Sequence, residues 1–161
     1  MIRAYVALGA NLGNPVATVE DAIDALAALR GSLLKGFSSL YRTAPVGLKH
    51  QPDFINAVAV LDTRLSARQL LDELFALEAR FGRERSVPNA PRTLDLDLLL
   101  FGDAVQGDPD LTLPHPRMHE RAFVLAPLAE LAPEIAIPGR GPVRALLEAC
   151  ADQRIHLLKR P

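Results

Sequence analysis

The sequence predicts an α+β chain: a ferredoxin-like split β-α-β-β-α-β sheet with additional C-terminal helices. Three observations carry that expectation. Apolar residues alternate with period two at the start of the chain and recur at helical spacing directly afterwards. The inferred elements then run strand, helix, strand, strand, helix, strand. A chain of 161 residues, 49% hydrophobic and 23% charged, suits one compact domain with a real core.

Ile2, Ala4, Val6 and Leu8 alternate with Arg3, Tyr5 and Ala7, which makes the opening segment a strand. The glycine-bearing loop "GANLGN" ends at Asn14, an expected helix N-cap, with Pro15 at the first helical position. Val16, Val19, Ile23, Leu26 and Leu29 recur at helical spacing, and Gly31 stands where that helix should stop. "LLKGFSSLYR" (33–42) and "FINAVAVLD" (54–62) supply the second and third strands. Between them "TAPVGLKHQPD" is too long and too proline-rich for a tight hairpin. Ser66 and Gln69 form a capping-box pattern that opens a helix through about Phe81. Its core face is Leu70, Leu71, Leu74, Leu77 and Phe81. The arginine-bearing loop "GRERSVPNAPR" leads into a fourth strand at 94–101. Two more helices are expected at 120–131 and 142–151, and "RIHLLK" as a last edge strand. No repeat, low-complexity segment or linker interrupts the chain, so residues 1–161 are expected to form a single domain.

A net charge of −1 and a pI of about 6.4 argue against a general nucleic-acid or membrane-surface binder. One cysteine, Cys150, leaves no internal disulfide framework and fits a reducing compartment. The first apolar stretch is short and runs into Asn11 and Asn14, so it is read as a strand rather than a signal peptide. No run approaches the roughly 20 apolar residues a membrane span needs. The expected compartment is the cytoplasm, and the expected state is a monomer.

The stretch "RTLDLDLLLFGD" places Asp95 and Asp97 inside an apolar strand. Residues two apart share a face, so both carboxylates line up with Thr93, while Leu94, Leu96, Leu98 and Leu100 take the other face. Their Cα atoms should lie about 6.6 Å apart. Two such charges near that distance repel by about 3 kcal/mol at an effective dielectric of 20. Leu99 and Phe101 follow on the acid face, which argues against simple solvent exposure. Divalent magnesium would remove the repulsion, because paired carboxylates plus substrate phosphates are its usual ligands. A pair of metals could hold both sides of a displacement.

Cations flank the pair. Arg83, Arg85 and Arg92 precede it, and His115, Arg117, His119 and Arg121 crowd "LPHPRMHER" after it. The planar fork of arginine suits phosphate oxygens. Acid pair and basic flanks together point to a metal–polyphosphate site and phosphoryl-group chemistry. His115 and His119 have helical zinc spacing, but no Glu in the H-E-x-x-H position, nearby Cys or third clustered His supports zinc. No Walker A or kinase-like glycine loop is present.

Four blocks in order resemble the 6-hydroxymethyl-7,8-dihydropterin pyrophosphokinase family over almost the whole chain. They are "YVALGANLGN", "YRTAPVG" with "QPDFINAV", "GRER…APRTLDLDLLLFGD" and "LTLPHPRMHERAFVLAPLAELAP". The resemblance implies transfer of the β,γ-pyrophosphoryl group of ATP to the pterin hydroxymethyl oxygen, with release of AMP, in folate biosynthesis. It implies two Mg2+ ions between the phosphates and Asp95 and Asp97, with ATP as co-substrate. By the same resemblance Arg83 and Arg92 are catalytic cations, and Arg85, His115 and Arg121 meet the nucleotide phosphates. Glu78, Leu98 and Thr112 match nucleoside-side positions. Thr43, Ala44, Val46 and Asn56 match pterin contacts, with the ring stacked between Phe54 and Phe123.

These assignments have physical reasons. A flat heterocycle gains from aromatic faces. Its donor–acceptor edge needs an amide such as Asn56, which is costly in an apolar strand unless paired. The proline- and arginine-rich segments 44–53 and 83–91 are expected lids that exclude water. Some positions depart from the family pattern. Pro88 and Asn89 stand where relatives carry Arg and an aromatic residue, Ala10 where Ser is common, and Asp110 where some have a basic residue. Altered affinity, not a different reaction, is the expected result. Two rival readings are a metal-dependent nuclease and a non-catalytic nucleic-acid-binding sheet. The first leaves Asn56 and "YRTAPVG" without a role, and the second wants exposed aromatics of which the strands offer few.

Overall fold

The computed structural model describes residues 1–45, 50–82 and 93–161. In chain order the elements are β1 (Ile2–Ala10), α1 (Pro15–Ala27), β2 (Ser32–Phe37), β3 (Leu40–Thr43), β4 (Phe54–Thr63) and α2 (Ala67–Arg80). There follow β5 (Asp95–Phe101), β6 (Gln106–Asp108), β7 (Leu111–Leu113), a 3-10 turn (Met118–Glu120) and α3 (Ala122–Leu131). The chain closes with β8 (Ala136–Ile137), β9 (Gly141–Pro142), α4 (Val143–Ala149) and β10 (Ile155–Lys159).

The local signals act as the sequence predicts. The Asn14 side chain accepts from the Ala17 N–H at 3.2 Å, with Pro15 opening α1. Ser66 Oγ accepts from the Gln69 N–H, and Gln69 Oε1 accepts from the Ser66 N–H, so both halves of the capping box form at the start of α2. Gly31 has φ 76°, the left-handed conformation that turns the chain from α1 into β2 without a Cβ penalty.

One antiparallel sheet runs β10-β3-β4-β1-β5, with β2 also paired to β4. The run β5-β1-β4-β3 is the strand order of the ferredoxin-like split βαβ unit. Each sheet face has its own core. One is built from Val6, Leu8, Leu61, Leu94 and Leu96 with the buried residues of α1 and α2. The other packs Val58, Val60, Leu99 and Leu100 against Met118, Leu125 and Leu128. The helices added after the split unit therefore cover the second face.

Three expectations change. The strand read over 33–42 is two strands broken at Ser38–Ser39. There Ser38 Oγ accepts from the Val58 N–H, and Glu130 of α3 accepts from the Ser39 N–H and Oγ. The helix expected at 120–131 is a 3-10 turn followed by α3, with Arg121 between them in an extended conformation. In β5 the register shifts: Leu98 opposes Val6 and Leu100 opposes Tyr5, so Leu99 is an extra, bulged residue. Strict alternation thus fails after Leu98. Leu99 and Leu100 both join the α3-side core, and Phe101 packs on the α1–α2 side.

Candidate active site

The sheet register assembles the site. Asp95 opposes Gly9 and Asp97 opposes Ala7 on β1, while Gly9 opposes Asn56 and Asn56 opposes Tyr41 on the other side. Directly opposed residues share a face. Thr43, Phe54, Asn56, Gly9, Ala7, Asp95 and Asp97 therefore occupy one face, the one α3 covers. A polar amide and an acid pair stand at two ends of a row whose middle is built from the smallest side chains. From Asn56 across Gly9 to Asp95 is two interstrand steps, about 10 Å between backbones.

Asn56 is buried, and its Nδ2 donates to Thr43 Oγ1 at 2.8 Å, which orients the amide. A Cβ on Gly9 would lie 3.2 Å from Asn56 Oδ1, so the glycine leaves room for that oxygen. The sequence pattern puts Gly9 in the loop "GANLGN", but β1 runs on to Ala10, so Gly9 is a strand glycine, a position that often marks close approach of another group. Asn11 is a second unforeseen residue. It is buried at the end of β1, and its Nδ2 donates to Gln51 Oε1 at 2.7 Å and to the Pro52 carbonyl at 3.1 Å. It ties the stretch before Phe54 to the central strand.

Asp95 and Asp97 are half-buried between fully buried leucines. His115 is brought to them from the far side of β5, where its N–H donates to the Leu99 carbonyl of the bulge at 2.9 Å. Burial pushes the His115 imidazole down to about 4; Arg121 adds to that push, Asp95 opposes it, and Arg117 adds a smaller share. The ring is neutral at pH 7. Its Nδ1 accepts from the Arg117 N–H at 3.3 Å, so the proton sits on Nε2. The Arg121 guanidinium lies 5.6 Å from the Phe123 ring centroid, a cation–π contact.

Other expected residues lie elsewhere. Leu98 is buried in the α1–α2 core, so only its backbone reaches the edge of β5. Glu78 is buried on α2 and its Oε2 accepts from the Leu96 N–H at 2.8 Å, covering part of the outer edge of β5. Thr112 sits in the β6–β7 hairpin with its hydroxyl donating to the Asp108 carbonyl. Ala44 is exposed just past β3. Val46, Arg83, Arg85 and Arg92 lie outside the described residues, as do Pro88 and Asn89 and most of the expected lid segments. Among the described residues no group of three or more His, Cys, Asp or Glu gathers as a metal cage.

Residues 5–133 match the model of the 7,8-dihydro-6-hydroxymethylpterin-pyrophosphokinase (HPPK) family. The chain is 46% identical to 2-amino-4-hydroxy-6-hydroxymethyldihydropteridine pyrophosphokinase of Pseudomonas aeruginosa, over 97% of this chain and 96% of that protein. It is 42% identical to the Haemophilus influenzae protein of the same name, over 96% and 97% respectively. In fold it is similar to the Plasmodium falciparum HPPK-DHPS structure, with a TM-score of 0.75 at 15% identity, covering 94% of this chain and 45% of that longer one. The chain belongs to the 7,8-dihydro-6-hydroxymethylpterin-pyrophosphokinase family.

Proposed function

We propose that this chain transfers the pyrophosphoryl group of ATP to the hydroxymethyl oxygen of 6-hydroxymethyl-7,8-dihydropterin, giving AMP and the pterin pyrophosphate. One observation supports it above the rest: the hydrogen-bonded Thr43–Asn56 pair and the Asp95–Asp97 acid pair stand on one sheet face, separated by Gly9. That span is comparable to a bicyclic ring with its hydroxymethyl arm. The amide end recognises the ring edge, and the acid end receives the phosphates.

Asn56 gives one Nδ2 hydrogen to Thr43 and keeps another, together with Oδ1, for the donor–acceptor edge of the pterin. Phe54 and Phe123 take the ring faces, and Ala44 and Val46 complete that end. His115 donates from Nε2 to a phosphate oxygen without adding a charge, while Arg121 and Arg85 add theirs. Arg83 and Arg92 meet the charge that develops on the oxygen leaving with AMP. Leu98, through its backbone, and Thr112 serve the nucleoside side, and Glu78 does so by fixing the edge of β5. The hydroxyl oxygen attacks the β-phosphorus as the bond to the α-phosphate oxygen breaks. The residues act by positioning and by charge.

Magnesium fits the donor set. Two carboxylates on one strand face suit Mg2+, which usually takes one or two carboxylates and completes its shell with water and substrate phosphates. Asp95 and Asp97 would hold two ions, which would neutralise triphosphate charge. No helix among the described residues is long and apolar enough to cross a membrane. The reading places the chain in the cytoplasm as a monomer that binds neither nucleic acid nor membrane.

The test is a product assay with purified protein, ATP, magnesium and the pterin, resolving AMP from ADP. AMP should form in step with pterin pyrophosphate, and Asp95→Ala or Asp97→Ala should lower the rate at least about 100-fold. ADP as product would mean an ordinary kinase, and no turnover would leave a binding protein; either overturns the proposal.

A further inference from the structure

We propose that Gln153 is a positioning residue for the substrate slot: its side-chain amide clamps the start of α3 and thereby holds Arg121 and Phe123 in place. The proposal rests on the pyrophosphokinase reading of the site. Gln153 Oε1 accepts from the Ala122 N–H at 2.9 Å, and its Nε2 donates to the Glu120 carbonyl at 2.7 Å. The two bonds flank Arg121, so the amide closes on that residue's backbone as a neighbouring strand would.

The clamp answers a local need. Ala122 begins α3, where backbone N–H groups have no partner within the helix. The Arg121 side chain does not cap the helix, and Gln153 supplies the capping bond from a distant point in the chain. The segment so fixed carries the Arg121–Phe123 cation–π pair, which joins the phosphate end of the slot to its ring end.

The clamp is itself anchored. The Gln153 N–H donates to the Cys150 carbonyl at 2.9 Å. Two residues later Ile155 opposes Thr43 in the β10–β3 ladder, and Thr43 carries the hydroxyl that orients Asn56. The short stretch from Gln153 to Ile155 thus ties the α3 wall of the slot to its β3 wall and sets their separation. The family match ends at residue 133, so this device lies beyond the part that the family model matches. Gln153 is exposed, and its replacement opens no core cavity.

The experiment compares the wild-type enzyme with Gln153→Met, which keeps the side-chain length and removes both polar contacts, and with Gln153→Glu, which keeps only the acceptor. Steady-state kinetics and thermal midpoints are measured for all three. For Gln153→Met the pterin KM should rise about 10-fold with kcat within about twofold, because a slot wall has shifted while the reacting groups remain. Its thermal midpoint should move by less than about 3 °C. Gln153→Glu should fall between the two. An unchanged KM overturns the proposal, and so does a KM change that merely follows a large fall in the midpoint. If the wild-type protein makes no AMP, the functional reading fails and the positioning role with it. If the wild type is active and Gln153→Met is indistinguishable from it, only the positioning role fails.

Discussion

His115 carries the clearest electrostatic signature in the site. Its imidazole is held neutral, with a folded value of about 4. A free histidine takes up its proton near 6.5. The unfolded chain therefore binds this proton before the folded one does as pH falls. The stability His115 contributes is fully present above about pH 6.5 and is lost progressively toward about pH 4, on the order of 2–3 kcal/mol. His115→Gln should flatten that limb in urea titrations between pH 7 and 4, and the wild-type ring should titrate near 4 by NMR. Gly9 makes a second test at this scale. Gly9→Ala places a Cβ 3.2 Å from Asn56 Oδ1, tight enough to displace the amide. The pterin KM should rise about 10-fold while the KM for ATP stays within about twofold.

Among the elements, β5 depends at its outer edge on α2. Glu78→Ala removes the acceptor for the Leu96 N–H and should cost about 2 kcal/mol, read as a lower urea midpoint at an unchanged slope. Most elements were legible in the sequence because their signals are local. Asn14–Pro15 and Ser66–Gln69 act within one helical turn, and alternation in β1 is read directly from residue type. The Ser38–Ser39 break was not legible, because what stabilises it is Glu130, which lies far along the chain. The bulge left only the three consecutive leucines 98–100 as a trace, and a run of identical residues does not say which one is extra. The site divides the same way. The acid pair stands out because charge in an apolar strand is costly, and Asn56 for the same reason. Asn11 and Gln153 act through partners distant in sequence and looked like ordinary loop residues.

Over the whole molecule, one sheet separates two cores. Leu61 of β4 is fully buried on the α1–α2 side, and Leu125 of α3 is fully buried on the other. Because both cores share the same strands, residues 1–161 should unfold as one cooperative unit. Leu61→Ala and Leu125→Ala should each cost about 2–5 kcal/mol and each give a single transition with the wild-type slope. Two transitions in either variant would divide the chain into separate units.

The row from Asn56 through Gly9 to Asp95 has a consequence for anything built to bridge its ends. The gap is a property of hydrogen-bonded backbone, two interstrand steps or about 10 Å, and side-chain replacement does not tune it. A one-residue slip of a ladder would change the gap only by turning the amide or the acids to the opposite face. Drift in either core thus leaves the scale of the site calibrated. A two-headed inhibitor with a rigid spacer of that span would meet resistance from substitutions at the two ends, at the slot walls, or from a side chain added at Gly9, but not from a change of span, because the chain has no incremental way to lengthen the ruler between them.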